Sequence, residues 1–196
     1  MYSKRPSIIL GFHSCDESVR DNLVNNRDVM KPSTNDYDWL GNGFYFWENN
    51  YARALSFAKE KKIWIEKEVL QGNKKPCDLI NTPSVLGAYI DLGNCLDLLD
   101  SYYLTQLQGA YVQTKQSYYK SGLELPVNIP RYNRLDCAVI QMYAKNNPEL
   151  DSVRGAFLEG EDLYPGAVIK EKNHIQICIR NIDCIKCFFI PRELKK

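Results

Sequence analysis

The chain has 196 residues, 44% of them hydrophobic, which allows one sizeable buried core and leaves no low-complexity block that reads as a disordered tail. With 25 basic and 24 acidic residues the formal net charge is +1, so no whole-molecule field draws it to nucleic acid or anionic lipid, and any nucleic-acid contact has to be local. No apolar run approaches the ~20 residues that cross a bilayer, and the apolar run of MYSKRPSIILGFHS is too short for a signal peptide, so a cytoplasmic location and no membrane partner are expected.

In chain order, Ser7 to Phe12 reads as a short strand, and DESVRDNLVNN places Val19, Leu23 and Val24 on one helical face behind acidic capping residues. The polar, proline-containing stretch from Asn26 to Asn42 reads as a long loop, and loops of that length in compact domains are usually functional. Gly43 to Trp47 is a second short strand. Asn49 and Asn50 cap a long helix, YARALSFAKEKKIWIEKEVL, whose Leu55, Ala58, Ile65 and Val69 turn inward, while Lys59, Glu60, Lys61 and Lys62 read as its wet face. VLGAYIDLG is rich in strand formers. NCLDLLDSYYLTQLQGAYVQTKQSYY returns to helical spacing through Leu96, Leu99, Tyr103, Leu107, Ala110 and Val112, and a further helix is predicted from Leu135 to Lys145. VRGAFLEG, HIQICIRN and CIKCFFIP read as short strands of the tail, with a Pro-Gly turn after the first. Without an internal repeat or a dividing linker, a single domain over 1–196 is expected.

Seven cysteines lie mostly inside apolar runs, which fits reduced, buried thiols rather than a disulfide framework. Cys184 and Cys187, with Cys178 nearby, lack the second pair or histidine that a zinc site needs, so they read as alternating residues of a strand pair and no metal is expected.

Only two histidines occur, and His13 closes an apolar run. A strand ending in His13, the stretch GNGFYF leading into a helix, and the tail strand within NHIQICIRN together resemble the diphtheria-toxin and poly(ADP-ribose)-polymerase-like ADP-ribosyltransferases. That family carries a His, Tyr and Glu triad, with Gln or Asp in place of Glu in some branches, and the matching positions here are His13, Tyr45 and Gln176. The three stretches follow the family's order over nearly the whole chain, and residues 71–147 carry no motif and read as a helical elaboration. The resemblance implies an α+β fold with a split, mostly antiparallel sheet around a cleft for NAD, the co-substrate.

By the same resemblance, His13 hydrogen-bonds the adenosine-side ribose, Tyr45 walls the nicotinamide, and Gln176 binds a hydroxyl of the reacting ribose. Ser14 stands where the family commonly has Gly, whose backbone holds the nicotinamide amide, a contact that Ser can also make. Phe57 is the candidate second stacking aromatic, Gly43 belongs to the glycine strand, and Trp39, with Asn35, Asp36 and Tyr37, fills the loop where an NAD lid or an ordinary packed loop would lie. Gln176 supplies a neutral hydrogen bond where a carboxylate would be about 1 to 2 kcal/mol stronger, roughly ten- to thirty-fold in rate. Mono-ADP-ribosylation is therefore expected rather than polymer synthesis. Glu159 and Glu161, on the turn FLEGEDLYPG, read either as acid/base groups, as in a Glu-x-Glu branch of the superfamily, or as a solvated turn. His174 either lines the cleft or packs.

The function so implied is a stand-alone bacterial or phage mono-ADP-ribosyltransferase, a toxin or phage-defence component acting on a protein or nucleic acid, with an antitoxin as the partner such a system would bring. The alternative is a catalytically weak or inactive module that binds NAD or ADP-ribose.

Overall fold

A computed structural model describes residues 8–130 and 132–192, so the predicted strand start at Ser7 lies outside the described residues. Strand β1 (Ile8–Asp16) does not stop at Phe12. It continues through His13, because the polar Ser14-Cys15-Asp16 segment keeps an antiparallel partner in β3 (Pro83–Asp91), from Ile8 opposite Asp91 to Asp16 opposite Pro83. The Asp16 carboxylate then accepts from the Ser18 N–H, capping α1 (Glu17–Val24), and from the N–H groups of Asn81 and Thr82, fastening the approach to β3. Of the residues predicted to share one helical face, Val19 is exposed, and Leu23 is the buried residue of α1.

Strand β2 (Phe44–Glu48) leads into α2 (Tyr51–Leu70), which has the predicted bounds. Asn50 caps the helix by accepting the Arg53 N–H at 3.0 Å. The run Cys95–Asp97 is not helical but forms β4, a parallel edge strand. Tertiary burial overrides its helical spacing: Leu96 is fully buried in the core beside Val153, whereas Leu99 and Val112 are exposed. Helix α3 (Ser101–Lys120) therefore begins only at the cap supplied by Asp100. The short hairpin of β5 (Asn128–Ile129) and β6 (Tyr132–Asn133) precedes α4 (Arg134–Asn146). Strands β7 (Ser152–Phe157), β8 (His174–Ile179) and β9 (Ile185–Phe189) follow.

Seven strands form one sheet in the order β4-β7-β8-β2-β1-β3-β9, antiparallel except for the β4–β7 pair. Because β9 pairs with β3 and β8 with β2, Cys178 and Cys187 do not share a strand pair as predicted, and Cys184 sits in the turn before β9. The period-2 alternation sorts the side chains. Phe44, Phe46, Ile177 and Ile179 enter one core with Leu86 and Ile90, while Tyr45 and Cys178 point the other way, toward Leu40 and Ile140. A third, smaller core sets Trp47 and Val85 against Ala54 of α2. No helix among the described residues is long and apolar enough to cross a membrane.

The middle of the sheet positions the site. Strands β1 and β2 pair only at Gly11 with Glu48 and Phe12 with Trp47. Beyond that point β1 stays with β3 and β2 with β8, and the ladder between them ends beside His13 and Tyr45.

Candidate functional site

A cavity of about 510 Å³ opens where the β1–β2 ladder ends, between α2, the loop before β2 and the start of the β7–β8 loop. Of the residues singled out from the sequence, His13, Ser14, Trp39, Gly43, Tyr45, Phe57, Glu159 and Gln176 line it, together with Asn35 and Tyr37 of the long loop. Glu161 does not. It is exposed, and its carbonyl accepts the Glu171 N–H within the β7–β8 loop. Asp36 also turns away, toward a second cavity and an ion pair with Arg134.

His13 Nδ1 lies 2.8 Å from the Tyr45 carbonyl oxygen. A carbonyl only accepts, so Nδ1 carries the proton and Nε2 is left as an acceptor. Burial lowers the pKa to about 4, with the Lys61 ammonium adding to the effect and the Tyr45 carbonyl opposing it. The ring is neutral at pH 7, a hydrogen-bonding group rather than a charge.

Tyr45 is immobilised at its hydroxyl, which accepts the Leu40 N–H at 2.9 Å and donates to the Gly41 carbonyl at 2.7 Å. Burial raises its pKa, so the phenol stays neutral. The ring thus welds the end of the loop to the sheet and presents a fixed aromatic surface. Gly43 is required by close approach: a Cβ there would collide with the Ile179 carbonyl oxygen and Cys178 Sγ across the β2–β8 pair. Trp39 is braced by Phe157, ring centroids 4.5 Å apart, and Phe57 packs on Trp47 at 5.0 Å.

Gln176 stands opposite Trp47 and Gly155 in the β8 registers. Its side chain makes no hydrogen bond among the described residues, which leaves both ends of the amide to the cavity. His174, two residues earlier, packs between Trp47 and Phe157 instead of lining this cavity. Its Nδ1–H donates to the Lys172 carbonyl at 2.6 Å, and burial lowers its pKa.

The sequence reading missed Arg53. This residue is 6% exposed and its Nη2–H donates to Glu159 Oε2 at 2.8 Å, while its guanidinium lies 5.8 Å from the Trp47 centroid and 5.6 Å from that of Phe57. Its Nε and Nη1, like Trp47 Nε1, are buried without a hydrogen-bond acceptor. Each such group costs about 1–3 kcal/mol, a burden characteristic of functional sites. The signal was present: Arg53, Phe57 and Lys61 recur at four-residue spacing, one stripe of α2, and all three line the cavity.

Among the described residues no group of three His, Cys, Asp or Glu side chains could hold a metal ion. The site's means are a neutral imidazole, fixed aromatic walls, an unengaged amide and one arginine-held carboxylate. No family model, no curated protein and no solved structure matches the chain.

Proposed function

We propose that the chain is a mono-ADP-ribosyltransferase that takes NAD as co-substrate and transfers ADP-ribose to a macromolecular acceptor, protein or nucleic acid. One observation carries this reading: a single cavity of about 510 Å³ gathers His13, Tyr45 and Gln176, far apart in sequence, from the three neighbouring strands β1, β2 and β8, with Ser14, Trp39, Gly43 and Phe57 around them. Its volume falls in the range of ligand pockets, roughly 300–1,000 Å³. The bare His13 Nε2 suits a ribose hydroxyl as donor, and Tyr45, Trp39 and Phe57 offer flat apolar surface to a nicotinamide ring.

NAD supplies a nicotinamide–ribose bond whose cleavage passes through an oxocarbenium-like state, as in glycoside hydrolysis. The chain's part is to hold the sugar and expose one face. Gln176 orients a ribose hydroxyl through its carbonyl without adding charge, which favours single transfers over chain growth. A toxin or phage-defence role fits such an enzyme.

Incubating the protein with NAD labelled in its adenylate, plus a cell lysate, tests the reading. Label should enter macromolecules, and sensitivity to protease or to nuclease assigns the acceptor. Gln176→Ala should lower labelling sharply while the protein stays folded, because that side chain lines the cavity and makes no hydrogen bond among the described residues. The neutral Gln176 favours one other outcome, an NAD-binding module: saturable NAD binding by calorimetry, with no nicotinamide release and no label transferred, would replace the transferase by that module.

A further inference from the structure

We infer that Glu159, rather than Glu161, is the carboxylate that serves the transfer and that Arg53 is the positioning residue that holds it; the inference rests on the transferase reading above. Glu159 lines the cavity with Gln176, and Glu161 does not. Arg53 Nη2 binds Oε2 of Glu159 at 2.8 Å, whereas Oε1 makes no hydrogen bond among the described residues. One oxygen is held and the other is left for a substrate.

Arg53 is itself fixed. Its backbone N–H is bound by the Asn50 cap, its guanidinium lies against Trp47 and Phe57, and its Nη1 stands 3.6 Å from Glu60 Oε1. The same Glu60 oxygen lies 3.1 Å from Lys172 Nζ, and the Lys172 N–H donates to the Glu159 carbonyl at 2.9 Å. Helix α2 therefore grips both ends of the β7–β8 loop, Glu159 through Arg53 and Lys172 through Glu60. A pair selected for stability alone would not leave the buried Nε without an acceptor and Nη1 with only the longer Glu60 contact. A rigid mount for a working carboxylate accounts for them.

The step assigned to Glu159 balances. The bond between C1′ of the ribose and nicotinamide breaks, its electron pair leaving on nicotinamide. The acceptor's O–H or N–H oxygen or nitrogen bonds to C1′, and its proton passes to the open Oε1. Gln176, a neutral amide, cannot take that proton at neutral pH.

The test compares Arg53→Met, Glu159→Gln, their combination and Glu161→Gln, measuring nicotinamide release, KM for NAD and the melting temperature. Arg53→Met should lower kcat about 100-fold, the cost of misplacing a catalytic group by about an ångström, with KM for NAD little changed. The double variant should lose no more than Glu159→Gln alone, because the two act as a unit, and the two single changes should lower the melting temperature non-additively. Millimolar ethylguanidinium should restore part of the kcat of Arg53→Ala. Full kcat in Arg53→Met, additive losses in the double variant, or loss of turnover in Glu161→Gln with Glu159→Gln unaffected would overturn the inference and leave the transferase standing. Wild-type protein that binds NAD yet releases no nicotinamide would bring down both.

Discussion

His13 carries two roles through two ring nitrogens. Its Nδ1–H closes the end of the β1–β2 ladder on the Tyr45 carbonyl, and its neutrality, enforced by burial, leaves Nε2 as an acceptor toward the cavity. The same burial makes His13 a determinant of acid stability. In the unfolded chain the imidazole takes up a proton near pH 6.5, but in the folded protein it resists until about pH 4. Between those values the unfolded state binds more protons, so stability is fully present above pH 6.5 and is lost as pH falls toward 4, by at most about 3 kcal/mol. The lowered pKa of His174 acts in the same direction, and the chain has no other histidine. Urea denaturation at pH 7, 6 and 5 should show a falling midpoint in the wild type and a shallower fall in His13→Gln, whose amide can still donate to the Tyr45 carbonyl. An identical slope in the two proteins would mean that His13 titrates normally and that its ring is not held neutral by burial.

Among the elements, β4 owes its strand form to a long-range partner, β7. Its Asp97 meets Nη1 of Arg154 on β7, while Nε and Nη2 of the same guanidinium fork onto the Glu48 carboxylate at the end of β2. Arg154 is 7% exposed at its side chain, so its removal leaves two carboxylates in a poorly hydrated place. Arg154→Met should cost about 3–5 kcal/mol, a drop of roughly 10 °C in melting temperature, and adding Glu48→Gln should recover part of it by removing one of the stranded charges. Calorimetric melts check this, and a loss within 1 kcal/mol for Arg154→Met would show the pair to be solvated. The same distances explain what was legible in the sequence. Helix α2 and strand β2 declare themselves by local period and caps, and so read correctly. Strand β4 does not, because Cys95–Asp97 lies in a run with helical spacing and becomes a strand only through β7, 57 residues on in the Asp97–Arg154 pair. The candidate site divides in the same way. His13, Tyr45 and Gln176 were singled out through the resemblance carried by their three stretches, whereas Arg53 drew no reading because its acceptor, Glu159, is 106 residues away.

At the scale of the molecule, the parts differ in how firmly they are tied to the cavity. The loop before β2 is held at many points: Ser33 pairs with Gly43, Tyr45 grips Leu40 and Gly41, Arg180 donates to the Asn42 carbonyl and to Gln141 of α4, and Asn133 donates to the Tyr37 carbonyl. Helix α3 is the opposite case. Of its 20 residues only Ala110 and Thr114 are buried, and Tyr102, Leu104, Tyr111, Val112 and Tyr119 stand in solvent, so little apolar burial opposes its local opening. Amide hydrogen exchange should therefore be fastest in α3 among the long helices and slowest in β1 and β3. If NAD occupies the cavity, saturation at about 100 times Kd stabilises the folded state by about 2.7 kcal/mol, roughly a hundredfold in the exchange of amides that open only with the whole fold. Added protection should then appear in residues 30–43, in residues 53–61 of α2 and around Glu159, which contribute to the cavity lining. Helix α3 should exchange at an unchanged rate, since its opening leaves the ligand in place. Protection confined to α3 and α4 would move the ligand to the second cavity, beside Thr114 and Arg134, and would detach NAD from His13 and Tyr45 altogether.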